Sequence, residues 1–183
     1  MLPTKPQAII YVLRNELVAY DRTGKAVREP LPIDTVDFLE IADEHKYTAA
    51  LSSLIANAGL RGKRVVVVLS EDIVFEKALQ SATEQYVQSQ ALDFSDKLPF
   101  DINAQHIVVF QKKKPPSAQL WATNSELFQL LVNRLEAASC KVAACVPATF
   151  FDIHSGQSLS AENLTFFFEK FKAKHSPDFL ATK

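Results

Sequence analysis

Glycine is scarce in this chain, which has four in 183 residues: Gly24, Gly59, Gly62 and Gly156. Loops that cradle nucleotide phosphates need closely spaced glycines, and neither G-x-G-x-x-G nor G-x-x-x-x-G-K-[ST] occurs in the sequence. An excess of charge of one sign is absent as well, because 20 lysines and arginines face 21 aspartates and glutamates, which gives a net charge of −1. The chain therefore has no overall field that would attract nucleic acid, and we expect no nucleic-acid partner.

Long hydrophobic runs and grouped metal ligands are also missing. The longest aliphatic run, residues 65–69, has five residues, and the N-terminus has no apolar signal segment, so neither a signal peptide nor a membrane span is expected in this stretch. Cys140 and Cys145 lie on one expected strand at an odd spacing, which points their side chains to opposite faces. The four histidines fall in separate segments. We expect a cytoplasmic chain with two buried, unpaired cysteines and no metal or other cofactor.

What the sequence does contain is a clear order of strand and helix patterns. Apolar segments at 8–13, 17–20 and 25–31 are separated by turn residues, which predicts a three-stranded antiparallel meander. A helical spacing of apolar residues follows from Asp43 and ends at Gly59. Residues 65–69 are an unbroken β-branched and aliphatic run, which is typical of a strand covered on both faces.

The middle of the chain predicts a smaller α/β unit. A strand at 73–79 is followed by a helix with a capping box at Ser81–Ala82–Thr83–Glu84, and that helix ends before Leu98-Pro99-Phe100-Asp101. Two strands, 105–112 and 119–123, are joined by a loop that contains Lys112, Lys113 and Lys114. A helix with an apolar stripe and a strand at 141–146 complete the unit. The stripe consists of Leu127, Phe128, Leu131, Val132 and Leu135.

A last helix is predicted at 162–174, capped by Ser160 and carrying a stripe of Leu164, Phe167, Phe168 and Phe171. Phe166 lies off that stripe. Either it packs on the sheet with the other rings, or it remains for contact with a partner or a second copy of the chain.

The order of segments is that of one ribonuclease H-like or actin-like lobe. The predicted fold is α/β (α+β), with residues 8–72 and 141–183 forming this lobe and residues 73–140 forming an inserted β-α-β-β-α-β subdomain. The chain resembles the PilM family in this succession of segments and in two short motifs, Leu98-Pro99-Phe100-Asp101 and Val146-Pro147-Ala148. PilM is the actin-like cytoplasmic protein of type IV pilus assembly, and it is similar to the cytoplasmic part of the type II secretion protein GspL and to FtsA.

The resemblance implies a noncatalytic cytoplasmic scaffold at the inner face of the cytoplasmic membrane. It implies as partner a membrane assembly protein of the PilN type, bound through a short N-terminal cytoplasmic segment, with self-association as a second mode. Pro99 would end the helix, Leu98 and Phe100 would pack the inserted subdomain on its neighbour, and all three would help to form the partner site. A helix stop with two core residues explains them equally well. Membrane association would be peripheral, or would use a span beyond residue 183, as in GspL.

The sequence differs from the enzymes of this fold in two respects. Actin-like ATPases have an Asp-x-Gly turn after the first strand, where this chain has Arg14-Asn15-Glu16-Leu17, and their nucleotide lies between two lobes. We therefore expect no bound ATP, a degenerate nucleotide site being the alternative. A ribonuclease H-like nuclease needs carboxylates converging on two metal ions, but the first strand has none, Asp72 lies past the end of the buried strand and Glu44 has no companion.

Lys112, Lys113 and Lys114 lie next to two prolines in the predicted loop. They either keep a solvated loop soluble or contact anionic lipid headgroups.

Overall fold

The structure is a computed structural model that describes residues 5–37, 39–113, 116–154 and 158–181. In these residues the strands form a five-stranded sheet, a three-stranded sheet and a two-stranded hairpin, and amphipathic helices pack on them. The strands are β1 (Ala8–Val12), β2 (Glu16–Asp21), β3 (Ala26–Pro30), β4 (Val36–Asp37), β5 (Glu40–Ile41), β6 (Arg64–Leu69), β7 (Phe75–Leu79), β8 (Gln105–Lys113), β9 (Pro116–Asn124) and β10 (Lys141–Pro147). The helices are α1 (Glu44–Asn57), α2 (Glu84–Ser95), α3 (Ser125–Ala137) and α4 (Ala161–Thr165).

The main sheet has the strand order β10-β6-β1-β2-β3. The meander β1, β2 and β3 is antiparallel, and β6 and β10 run parallel to β1. Because side chains alternate along a strand, Ile10 and Val67 face the core shared with α1 and α3, whereas Tyr11 and Val68 face the core shared with α4. The predicted meander, helix and doubly covered strand are confirmed.

The second sheet has the order β7-β9-β8 and lies between β6 and α3 in the sequence. Helix α2 packs beside β7, where the Lys77 ammonium lies 2.6 Å from the Asp93 carboxylate. Hydrogen bonds from Lys77 and Lys97 lower the pKa of Asp93 to about 2. This sheet and α2 lie within the residues of the predicted insert, and they share one hydrophobic cluster with α1 and the main sheet.

Helix α3 connects the second sheet to β10, and its five predicted stripe residues are all buried. It packs on α1, on β10 of the main sheet and on β9 of the second sheet. The proposed division into 8–72 with 141–183 and 73–140 separates α3 from β10. Because α3 contacts both the main sheet and β9, this division stays a prediction.

Local details differ from the sequence predictions at three places. Helix α2 begins at Glu84 with Thr83 as N-cap, so the expected Ser81 capping box is wrong, and the Ser81 hydroxyl instead accepts a hydrogen bond from the Thr83 backbone. The short hairpin β4–β5 was not predicted, because two-residue strands have no periodicity. The last helix is shorter than expected: Ser160 and Asn163 form its capping box, but after Thr165 it continues as a π-helical turn, Phe166–Lys170.

Both cysteines are unpaired and buried, as predicted. The expectation that they face opposite sides is wrong, since Cys140 and Cys145 join the same hydrophobic cluster. A register shift between Val142 and Ala144 resets the alternation of β10.

The C-terminal segment, residues 176–181, runs along the outer edge of β10. The Phe179 N–H donates to the Cys145 carbonyl at 2.8 Å, and the Cys145 N–H donates to Asp178 Oδ1 at 2.9 Å. The His106 ring of β8 lies 5.6 Å from the Phe179 ring and 5.1 Å from Phe128 of α3. Among the residues described, no helix is long and apolar enough to cross a bilayer.

Candidate partner-binding groove

An open groove of about 450 Å³ lies between the second sheet and the turn after β10. Its walls come from all three strands of the second sheet and from the chain that follows β10. The lining residues are Glu76, Ala78, Leu79, Phe110, Lys112, Ser117, Ala118, Gln119, Thr149, Phe150, Asp152 and His154.

Strand register explains why these side chains meet. Ala78 is opposite Gln119, and Gln119 is opposite Phe110, so the three lie side by side on one face. Glu76 is opposite Trp121 on that same face. Helix α2 packs on the other face of this sheet, so the groove face is left for contact with the turn after β10.

The wall opposite the sheet begins where Pro147 ends β10. A 3₁₀ turn, Ala148–Phe151, follows and carries Phe150 over the second sheet. The Phe150 ring lies 4.9 Å from Phe110 and 5.7 Å from Trp121, both edge to face. The turn and the sheet therefore share an aromatic floor.

Hydrogen bonds join the two walls beneath the groove. The Trp121 indole N–H is shared between Glu76 Oε2, at 3.2 Å, and Thr149 Oγ1, at 3.1 Å. The Gln119 amide also donates to Glu76, at 3.4 Å. Trp121 is fully buried, so these contacts fix the exposed Glu76 carboxylate beside the aromatic floor.

The rim of the groove carries both signs of charge. The Lys112 ammonium lies 5.8 Å from the centre of the Phe150 ring, a cation–π contact. On the far side, His154 Nδ1 lies 3.0 Å from a Glu71 carboxylate oxygen. An aromatic floor with a carboxylate and an ammonium at its edges suits a segment that has apolar side chains and free backbone or terminal polar groups.

The predicted partner residues 98–100 lie elsewhere. Leu98 and Phe100 are buried, and Pro99 is exposed in the turn after α2. The Phe100 ring lies 5.9 Å from Phe75, which alternates with Glu76 and so points away from the groove face. The structure does not bring Leu98, Pro99 or Phe100 to the groove.

Phe166 is half-buried in a row of rings that runs from the groove towards α4. It lies 5.5 Å from Phe151, 5.6 Å from Phe167 and 6.4 Å from Phe171. Phe151 in turn contacts Phe150 at 5.0 Å. Phe166 therefore reaches the groove only through Phe151 and Phe150.

Two of the three predicted loop lysines, Lys112 and Lys113, are the last two residues of β8. Lys112 is exposed and opposite Ser117, and Lys113 is the last residue of β8, opposite Pro116. Lys114 lies outside the described residues.

A second cavity, of about 530 Å³, lies at the carboxyl end of β1. Arg14, Asn15, Asp34 and Asp72 line it, so it includes the turn after β1 at which the sequence resemblance led us to look for Asp-x-Gly. Burial, with the nearby Asp72 and Glu71 charges, raises the pKa of Tyr11 to about 12, so this phenol stays protonated. Within the part of the chain that the structure describes, no group of three or more His, Cys, Asp or Glu side chains could hold a metal ion.

Comparison with known proteins gives the fold but no sequence family. No protein-family model matches the chain, and no curated protein matches it in sequence. Among solved structures, a chain of a PilM–PilN type IV pilus biogenesis complex superposes with a TM-score of 0.57 at 14% identity, covering 81% of this chain and 49% of that one. The PilM resemblance is confirmed at the level of the fold. This chain spans about half the length of the matched chain.

Two further solved structures are more distant in shape. The cytoplasmic domain of EpsL, an inner-membrane component of the Vibrio cholerae type II secretion system, has a TM-score of 0.42 at 12% identity, over 76% of this chain and 54% of that one. A Bacteroides thetaiotaomicron protein of unknown function with an actin-like ATPase fold has a TM-score of 0.46 at 10% identity, over 75% of this chain and 51% of that one.

Proposed function

We propose that this chain is a noncatalytic scaffold of a pilus or secretion assembly at the inner face of the cytoplasmic membrane. In this proposal the groove between the second sheet and the turn after β10 binds a short cytoplasmic segment of a PilN-type membrane protein. The observation that carries the proposal is the groove itself, in a chain whose fold matches that of a chain from a PilM–PilN complex.

The shape of the groove favours a peptide in extended form. Strand β7 is an edge strand of the second sheet, and its exposed Glu76 and Ala78 line the groove. An extended segment that rises about 3.3 Å per residue places alternate side chains on one side. Apolar side chains would cover Phe110 and Phe150, and the Glu76 carboxylate would accept hydrogen bonds from N–H groups of the segment.

The groove chemistry supports binding rather than catalysis. A nucleophile needs an adjacent base and an orienting third group, and the polar contacts that the structure describes among the groove residues tie Glu76 to Trp121, Thr149 and Gln119 instead. Glu76 acts in this proposal as a fixed acceptor. Lys112 and Lys113 at the end of β8, with Lys114 next in the sequence, would face the headgroups of the membrane that holds the partner.

The proposal is tested by capture of the PilN-type protein from detergent-solubilised membranes of the source organism. Ala78→Glu puts a second carboxylate beside Glu76 at an exposed groove position, and we expect it to reduce capture at least about tenfold, which is about 1.4 kcal/mol. Ala26→Glu is the matched control, because Ala26 is also an exposed strand alanine but lies on β3. Equal capture by the two variants would contradict the groove as the binding site.

A further inference from the structure

The segment that follows α4 alternates between lysine and packed residues. Lys170, Lys172 and Lys174 are exposed, whereas Phe171 and Ala173 are partly buried and pack on the core beneath α4. We call the three lysines the basic strip. Phe171 and Lys172 have extended backbone, so Lys170 and Lys172 project from the same side, about 6–7 Å apart.

The strip is held in place by its buried neighbours. The Phe171 ring lies 5.5 Å from Phe167 and 6.1 Å from Phe151, and the Phe171 N–H donates to the Phe166 carbonyl at 2.9 Å. Because these contacts fix the backbone, binding through the three lysines does not require a flexible tail to become ordered.

The strip presents three exposed ammonium groups within five residues, although the whole chain carries a net charge of −1. Glu169 precedes the strip, but its carboxylate is paired with the Lys5 ammonium and lies 3.5 Å from the Arg22 guanidinium. A hydrogen bond from Lys5 and the charges of both cations lower the pKa of Glu169. Among the described residues no carboxylate lies within ion-pair distance of Lys170, Lys172 or Lys174, so the positive charge of the strip is uncompensated.

We propose that the basic strip, Lys170, Lys172 and Lys174, is a second contact surface, which binds the anionic headgroups of a lipid bilayer. The choice of a bilayer as the anionic surface rests on the proposed function, because a scaffold held by a membrane protein works next to lipid phosphates. Lysines near an anionic bilayer each strengthen binding by a similar increment. With the groove holding the membrane partner, this weak contact becomes intramolecular and orients the chain.

The experiment is sedimentation of the purified full chain with vesicles that contain phosphatidylglycerol, at about 0.05 M and about 0.5 M salt. We expect binding at the lower salt and its loss at the higher salt. The variant Lys170→Gln/Lys172→Gln/Lys174→Gln should bind about a hundredfold more weakly, because each lysine contributes about fivefold. The control Lys25→Gln/Lys46→Gln/Lys141→Gln removes three exposed lysines elsewhere. Each triple substitution lowers the net charge from −1 to −4, and the control should bind like the wild type.

Equal binding by the wild type and the strip variant overturns the proposal. So does a loss confined to Lys112→Gln/Lys113→Gln/Lys114→Gln, which would place the membrane contact at the hairpin instead. Tight binding to a single-stranded oligonucleotide without binding to vesicles also overturns it, because the partner would then be nucleic acid. None of these results depends on capture of the PilN-type protein, so failure of the strip and failure of the groove are distinguishable.

Discussion

The packing of Phe166 indicates whether its side chain stabilises the fold or contacts a partner. Its ring is half-buried against Phe151, Phe167 and Phe171. We therefore expect Phe166→Ser to lower the free energy of unfolding by about 2 kcal/mol, roughly half the loss for a fully buried ring. In a chain of this size the melting temperature should fall by about 4–8 °C, as measured by thermal denaturation followed by circular dichroism.

Leu92→Ser is the control, because Leu92 is 70% exposed on α2 and should change stability by less than about 0.5 kcal/mol. A Phe166→Ser chain with unchanged melting temperature and weakened partner capture would instead support the reading of Phe166 as a contact residue. The expected fall in melting temperature would assign it to the core.

At the scale of the elements, long periodic segments were predictable from the sequence and short or irregular ones were not. The buried faces of α1 and α3 follow their i, i+3, i+4 spacing, and β6 is buried from Val65 to Leu69. The bulge in β10 and the π-helical turn after Thr165 depend on tertiary packing, which no local pattern specifies.

The groove could not be predicted for a related reason. Its aromatic floor joins Phe110 of β8 to Phe150, which lies after β10 and also contacts Trp121 of β9. Sequence order does not say which face of an inserted sheet packs on the main lobe. The one available signal was the alternation in residues 73–79, which predicted a strand with one polar face but not what that face contacts.

The packing of Phe179 against His106 of β8 should make the stability of the chain depend on pH. Burial lowers the pKa of His106, against an opposing effect of its backbone hydrogen bond with Phe179. The folded chain thus favours the neutral imidazole. The resulting stability is fully present above the ordinary histidine pKa of about 6.5, and it is lost as the pH falls through the folded pKa.

We expect urea denaturation to show that the wild type loses stability between about pH 7 and pH 5, by at most about 1.4 kcal/mol per pH unit from this one proton. His106→Phe keeps a ring between Phe128 and Phe179 but cannot titrate, so its loss over the same range should be smaller. Burial raises the pKa of Asp178, which acts with the opposite sign, but both chains share this effect. Identical slopes for the two chains would contradict a buried neutral His106.

At the scale of the whole molecule, the first question is whether the cavity at the carboxyl end of β1 binds nucleotide. Arg14 and Asn15 line this cavity at the turn after β1, where the sequence resemblance would require Asp-x-Gly, so neither a carboxylate for a metal nor a glycine for close phosphate approach is at that position. We expect isothermal titration calorimetry with Mg-ATP to show no binding heat. A micromolar Kd, about −8 kcal/mol, would show a formed site and favour the degenerate nucleotide-binding alternative.

The central claim is that the groove binds the cytoplasmic segment of a PilN-type partner, and the most direct measurement uses the chain's single tryptophan. The Trp121 indole donates to Glu76 and Thr149 beneath the groove, so its emission should respond when the groove is filled. The titrant is a synthetic peptide of the N-terminal cytoplasmic residues of the PilN-type protein from the same organism. We predict saturable one-to-one binding by the wild type and Ala26→Glu, and binding at least about tenfold weaker by Ala78→Glu, about 1.4 kcal/mol. Equal affinity of Ala78→Glu and the wild type, or no saturable change with the peptide, would contradict the account.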